Sequence, residues 1–315
     1  MTIHKSVLLK ESIESLNLKE GAIIVDATLG GGGHSLEILK KIGKSGKLIA
    51  IDADKDAIKR FGKKIEKENI KNAVLVQNNF RNLESILEKI GINKIDAILA
   101  DIGYSSDQLE DKKRGISFQI NAPLDMRFDQ NQELTAQKII NEYSKQDLEK
   151  ILREYGEEKF YKNIVRGIIE YREKKNIENT EELVEIIKSH TPDKYKRGKI
   201  HPATKTFQAI RIEVNQELSS LRAFVSSAIN ALKPNGRLAV ISFHSLEDRI
   251  VKEIFRENAR GCICPENFPL CRCGNLSKIK IITKKPTIPR KEEIENNPRA
   301  RSAKLRICEA ITPLK

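Results

Sequence analysis

The residues best placed to do chemistry in this chain are two acids and a run of glycines near the N-terminus. Ile23-Ile24-Val25-Asp26 is an apolar run that ends in an acid, and Gly30-Gly31-Gly32-Gly33-His34-Ser35 follows within a few residues. Leu36, Ile38 and Leu39 then repeat with helical spacing. Strand, tight turn and helix in this order let a backbone approach a ligand closely at a helix N-terminus. A second apolar run, Lys47 to Ile51, ends in Asp52, 22 residues after Gly30. An acid at that place can accept hydrogen bonds from both ribose hydroxyls of a nucleoside. The glycine pattern is not the usual dinucleotide fingerprint: fitted on Gly30, Gly32 and Ser35, its last position is wrong. A cofactor without phosphates, such as S-adenosylmethionine, suits the site as well as a dinucleotide does.

Regular elements must position these residues. Strands are expected over 22–26, 47–52, 73–77 and 95–101, with helices over about 35–42, 54–68 and 81–90. Such alternation predicts a parallel sheet with right-handed crossovers and a ligand at the carboxyl ends of its strands. Asp26, Asp52, Asn78 to Phe80 and Asp101 all fall at those ends. From about 115 to 210 no strand is evident, and Thr135, Ser144 (with Asp147 three residues on) and Thr180 each begin a helical pattern. The α/β pattern resumes with a helix over about 216–232 and a strand from Arg237 to Phe243 that runs into His244-Ser245-Leu246-Glu247-Asp248. A last strand over about 302–309 is expected as an antiparallel edge strand. The expected fold class is α/β: a Rossmann-like sheet, resembling that of class I methyltransferases, with an inserted helical domain. Its parts are 1–112 (cofactor-binding, first part), 113–212 (inserted, substrate-recognising) and 213–315 (second part, with a basic tail).

Composition narrows the partners. The 315 residues carry 57 Lys and Arg against 44 Asp and Glu, a formal charge of +13. That excess points to a polyanion, usually nucleic acid. Residues 271–315 alone hold 12 basic and 4 acidic side chains. No Trp, 6 Tyr and 10 Phe argue against a platform of many stacked rings. No apolar run approaches the ~18 residues of a membrane span, and no signal peptide is evident, so the expectation is a soluble cytoplasmic protein without membrane contact. Cys262, Cys264, Cys271 and Cys273 form two C-x-C pairs six residues apart. They suit a structural zinc site or four reduced thiols, the C-x-C spacing being less diagnostic than C-x₂-C.

Several longer segments together resemble one family. They are Asp26 to Ser35, Asp101-Ile-Gly-Tyr-Ser-Ser106, Pro123-Leu-Asp-Met-Arg-Phe128, His201 to Arg211, Ser242 to Arg249 and Asn297-Pro-Arg-Ala-Arg-Ser302. In that order they resemble the bacterial MraW-type methyltransferases of small-subunit ribosomal RNA, over nearly the whole chain. The resemblance implies S-adenosylmethionine as methyl donor and the N4 amino group of one decoding-region cytidine in small-subunit (16S) ribosomal RNA as acceptor. It implies cofactor contacts at Gly32, Gly33, His34, Asp52, Phe80, Asp101 and Gln108. It does not extend to the cysteine cluster. The partner is then small-subunit ribosomal RNA or the assembled subunit; the oligomeric state is open, a homodimer being one option.

For the chemistry itself, Asp101 and Tyr104 are the candidates. Amino-methyltransferases acting on DNA carry Asp, Asn or Ser, then two prolines and an aromatic, after the fourth strand. Here Asp101-Ile102-Gly103-Tyr104 keeps the acid and the aromatic and lacks the prolines. Asp101 can accept from the amine or bind the cofactor, and the resemblance favours the cofactor; Tyr104 can stack on a flipped base or pack. Lys205, Arg211, Arg299 and Arg301 are candidate contacts to RNA phosphates. His34, His201 and His244 sit in the quoted segments, His34 directly after the glycines. Two other functions compete: an NAD-dependent oxidoreductase, which shares the strand, glycine loop and acid, and a ribosome-assembly protein with a decayed cofactor site.

Overall fold

The computed structural model describes residues 6–105, 108–109, 111–198, 200–265, 270 and 272–311. The chain forms two units, one from Met1–Gly103 with Leu218–Lys315 and the other from Tyr104–Glu217. The divisions fall at Gly103/Tyr104 and Glu217/Leu218, so the boundaries expected at 112 and 212 lie inside the second unit by these limits.

The first unit is built on seven strands: β1 (Ile23–Asp26), β2 (Lys47–Asp52), β3 (Ala73–Gln77), β4 (Ile95–Asp101), β5 (Leu232–Ser242), β6 (Ile279–Ile281) and β7 (Lys304–Ala310). Their order is β3-β2-β1-β4-β5-β7-β6, with β7 antiparallel to both neighbours and the pairs among β1 to β5 parallel. Helices α1 (Leu9–Ser15), α2 (Gly33–Ile42), α3 (Lys55–Lys67) and α4 (Leu83–Ile90) precede or link the first four strands.

Successive strand residues serve opposite faces. Val25, Ile49, Ile51, Ile98 and Val240 enter one apolar cluster; Ile24, Leu48, Ala50, Leu99 and Ile241 enter the other. A sheet buried on both sides requires such continuous apolar runs, which is why its strands were legible. Local chemistry sets the helix ends. The Asp54 carboxylate accepts the Asp56 N–H at 2.9 Å to start α3, whose Phe61 packs into the second cluster.

The final strand corrects the sequence reading. β7 is antiparallel, as expected, but it is not the edge: β6 pairs outside it, Ile279 opposite Ala310. Three residues in a proline- and lysine-bearing stretch give too short a pattern to read as a strand.

The second unit is helical: α5 (Ala136–Glu142), α6 (Lys145–Glu154), α7 (Tyr161–Arg172), α8 (Thr180–Ser189), α9 (Asp193–Lys196) and α10 (Ala203–Asn215). Thr135, Ser144 and Asn179 cap α5, α6 and α8 through side-chain oxygens. Its apolar faces, among them Ile139, Leu148, Ile164, Leu183 and Phe207, form a core of their own. The first unit resumes with α11 (Glu217–Ala231), whose Leu221, Phe224 and Ala228 join the first cluster, and α12 (Ser245–Ala259); α13 (Lys291–Asn296) lies in the basic tail.

Gly32 caps α2 in the left-handed region at φ +76°, and a Cβ there would collide with the Phe61 ring. Gly32→Ala is therefore expected to destabilise the chain by about 1–3 kcal/mol, through backbone strain and overpacking. Denaturant unfolding measures this; an unchanged midpoint would refute the close packing of loop on α3.

Candidate active site

The loop between β1 and α2 is fastened to three strand ends. Asp52 Oδ2 of β2 accepts the Gly30 N–H at 2.7 Å, and its Oδ1 accepts the Asp54 N–H at 2.8 Å. Asp26 of β1 accepts the Ser35 hydroxyl at 2.6 Å and the Thr28 N–H at 3.2 Å. The Thr28 hydroxyl accepts the Asp101 N–H of β4 at 2.6 Å. The expected convergence of Asp26, Asp52 and Asp101 on one rim is thus present, and the loop is what joins them.

This rim is acidic and poorly solvated. Burial raises Asp26 to about 7 and Asp52 to about 6. Asp101 reaches about 8, through burial first and then the charges of Asp26 and Glu247. Asp101 Oδ1 is buried with no hydrogen-bond partner. Its other oxygen, Oδ2, lies 3.9 Å from His34 Nδ1, and His34 Nε2 lies 3.2 Å from the Val7 carbonyl. A cationic, hydrogen-bond-donating ligand relieves such a cluster, whereas a pyrophosphate would add like charge to it. The sulfonium and ammonium of S-adenosylmethionine fit this rim; the diphosphate of a dinucleotide does not.

Other expected contacts have local roles as well. A Cβ at Gly33 would collide with Ser6, so packing demands glycine there as it does at Gly32. Phe80 opens a single 3₁₀ turn after β3 and meets Phe224 edge-on at 5.1 Å. His244 caps α12 in a capping box with Glu247, whose carboxylate also accepts the Phe243 N–H at 2.8 Å. Glu247 is 1% exposed and its charge acts on Asp101, a role the sequence reading missed. The H-S-L-E sequence after a strong strand was the available signal.

The remaining candidates lie in the second unit. Gln108 is buried and exchanges hydrogen bonds with Ser105, its Oε1 accepting the Ser105 N–H at 2.9 Å. Tyr104 is exposed, with the Arg211 guanidinium over its ring at 4.8 Å. Arg211 itself corrects the sequence reading. It is 9% exposed and holds Glu217 bidentately, at 2.7 and 2.9 Å, so it is not available to an RNA phosphate. Gln216, left-handed at φ 50° after α10, turns the chain so that Glu217 returns to Arg211. A pair six residues apart matches no helical spacing and was invisible beforehand.

His201 also serves the fold, stacking on Phe118 at 4.7 Å. The Lys205 ammonium donates to the Glu157 carbonyl at 2.8 Å. The Pro123–Phe128 motif is a structural knot. Arg127 clasps Asp125 at 2.7 Å, and Asn215 bridges the Phe128 N–H and the Met126 carbonyl, each at 2.8 Å. In the tail, Arg299 and Arg301 are exposed on a 3₁₀ turn whose Ala300 is fully buried in the first unit. Of the cysteine group, Cys262, Cys264 and Cys273 lie together, and Cys271 lies outside the described residues.

A sheet of order β3-β2-β1-β4-β5-β7-β6 with one antiparallel strand and a glycine loop after β1 defines a class I, S-adenosylmethionine-dependent methyltransferase. The MraW methylase family model matches residues 1–311, and the chain belongs to that family. It is 53% identical over 98% of its length to 99% of "Ribosomal RNA small subunit methyltransferase H" of Clostridium botulinum. It is 49% identical over 98% of its length to 98% of the protein of that name from Lachnospira eligens. A structure titled a putative rRNA-methylase from Clostridium thermocellum aligns over 99% of both chains with 12% identity and a TM-score of 0.46.

The raised acids make two outcomes calculable. A carboxylate whose pKa is higher folded than unfolded leaves stability intact below about pH 4 and lowers it progressively as pH rises to its folded value near 8. Asp101→Asn is expected to stabilise the ligand-free chain by about 1–2 kcal/mol at pH 8, with the gain vanishing toward pH 4. The same change is expected to weaken S-adenosylmethionine binding, and wild-type affinity is expected to rise between pH 6 and 9 as the rim ionises. Thermal unfolding and calorimetry across pH test this; a less stable, unaltered binder would remove Asp101 from the site. Asp52→Ala is expected to weaken binding by about 1–3 kcal/mol through loss of a charged acceptor. Unchanged calorimetric affinity would exclude Asp52.

Proposed function

We propose that this chain methylates the exocyclic N4 of one cytidine in the decoding region of small-subunit (16S) ribosomal RNA. Both quoted relatives bear names that specify small-subunit ribosomal RNA. The observation that carries the reading is Asp101, a partly exposed carboxylate with one buried, unpartnered oxygen at the end of β4, followed three residues on by an exposed aromatic.

The cofactor supplies an electrophilic methyl group on a cationic sulfur. A cytosine amine is a poor nucleophile because its lone pair is delocalised into the ring. The protein must hold N4 in line and accept its N–H bonds as the lone pair localises, and alignment alone contributes several kcal/mol. Asp52 would accept from the cofactor's ribose hydroxyls, and Asp101, with its unpartnered oxygen as an acceptor, would hold the cationic end. Tyr104 stacks on the flipped base, its ring backed by Arg211. The methylated nitrogen is acidic enough to lose its proton to water or a carboxylate, so no strong base is needed. The family resemblance adds Gln108 to the cofactor contacts, and we assign RNA selection to the second unit. The acidic rim disfavours the NAD-dependent reading, and the intact loop with Asp52 disfavours a decayed site. Among the described residues no helix is long and apolar enough to cross a membrane.

Mass mapping of small-subunit ribosomal RNA from cells with and without this gene tests the proposal directly. Loss of one N4-methyl mark from a decoding-region cytidine is expected, and an unchanged map would overturn it. The tail allows a second test. Lys284, Lys285, Arg299 and Arg301 are exposed; Arg290, exposed too, lies 3.7 Å from Glu11 and is left unchanged. Neutralising those four is expected to weaken RNA or subunit binding. It is also expected to flatten the slope of log affinity against log salt by up to ~0.9 for each phosphate that is no longer neutralised. Cofactor affinity is expected to stay the same. An unchanged slope in the folded variant would give the tail a structural role only.

A further inference from the structure

The methyl-transfer site leaves one chemically distinctive cluster unused. Between α12 and β6 the chain runs from Arg260 to Lys278 with no helix or strand among the described residues. A connection of that length without regular structure needs another source of order. Among its described residues the large apolar side chains are exposed: Ile263, Leu270 and Leu276 are 52%, 75% and 53% exposed. Its base is closed by backbone and side-chain bonds, with the Lys278 N–H donating to the Asn258 carbonyl at 2.8 Å and the Ser277 hydroxyl to the Ala259 carbonyl at 3.0 Å. Asn275 extends this closure by donating to the carbonyls of Arg260 and Gly261, at 3.0 and 2.6 Å.

Above that base the sulfur atoms of Cys262, Cys264 and Cys273 all lie within 4.8 Å of one another. Cys262 and Cys273 are 3.8 Å apart, far beyond a disulfide bond. That separation is the edge of a tetrahedron of sulfurs around zinc, about 3.8 Å for Zn–S bonds of about 2.3 Å. Backbone N–H groups are aimed at the sulfurs. Ile263 and Asn275 donate to Cys273 at 3.3 and 3.4 Å, and Arg272 donates to Cys264 at 3.3 Å. N–H donors converging on sulfur fix the orientation of these side chains, as outer-sphere hydrogen bonds do at metal sites.

We propose that Cys262, Cys264 and Cys273 bind a structural zinc ion that orders the loop between α12 and β6, independently of methyl transfer. Thiolates select a thiophilic ion, and the 3.8 Å separation of the Cys262 and Cys273 sulfurs suits zinc. Cys271 is outside the described residues, and the site is argued without it. Because binding requires deprotonated thiols, uptake of the metal releases protons and weakens as pH falls.

The test uses the full chain, purified under reducing conditions. Elemental analysis is expected to find one zinc ion per chain, and cobalt put in its place is expected to give thiolate-to-metal charge-transfer absorption. Cys262→Ser and Cys273→Ser are each expected to lose the ion while keeping S-adenosylmethionine affinity, which certifies that they fold. Chelation of the wild type is expected to open cleavage by protease between 261 and 277 and nowhere in the sheet. Three results would overturn the proposal. They are a chain free of zinc that gives no cobalt charge transfer, a Cys262–Cys273 disulfide that persists in the protein isolated under reducing conditions, and zinc retained in full by the Cys262, Cys264 and Cys273 triple serine variant.

Discussion

Everything at the rim depends on the hydrogen bonds that hold the glycine loop to the ends of β1, β2 and β4. Asp52 fixes Gly30, Asp26 fixes Ser35 and Thr28, and Thr28 fixes Asp101. A loop carrying successive glycines has high conformational entropy, and here charged acceptors offset that cost. The collisions awaiting a Cβ at Gly32 and Gly33 are with Phe61 and Ser6. The glycines are thus demanded first by packing, and that packing in turn sets the loop beside the carboxylates.

The same bonds gather carboxylates where water is scarce. Asp26, Asp52 and Asp101 all sit above their usual range, and Glu247 adds to the charge on Asp101. A fold selected only for stability would place amides or apolar groups there. The penalty becomes useful once a cation arrives, because its binding relieves the repulsion. Function and stability therefore pull against each other at Asp101, which has the largest shift and an unpartnered oxygen.

Motifs that stand out in sequence are not all chemistry. Asp125 and Arg127 clasp each other, and Asn215 ties their turn to α10. Arg211 pairs with Glu217 and covers Tyr104. His201 stacks on Phe118, and His244 caps a helix. Polar side chains with buried, bidentate or capping roles are as residue-specific as catalytic ones, because leaving a partner unsatisfied costs about 1–3 kcal/mol.

The sequence by itself determined the alternation of strands and helices, the acids at strand ends, the helical character of the block after β4 and the family resemblance. These are short-range patterns: apolar runs buried on both faces, caps three residues before a helical acid, glycines after a strand. The tertiary structure decided the rest. It placed β6 outside β7, since pairing of a three-residue strand depends on a neighbour found far along the chain. It withdrew Arg211 from the surface, since a left-handed Gln216 brings back a partner at no helical spacing. It placed the charge of Glu247 where it acts on Asp101, and it brought the sulfurs of Cys262 and Cys273 to 3.8 Å, in both cases from segments that are separate in sequence. Periodicity reports which face of an element is buried; it carries no information on which distant charge or sulfur will lie opposite, and that is fixed only when the chain closes on itself.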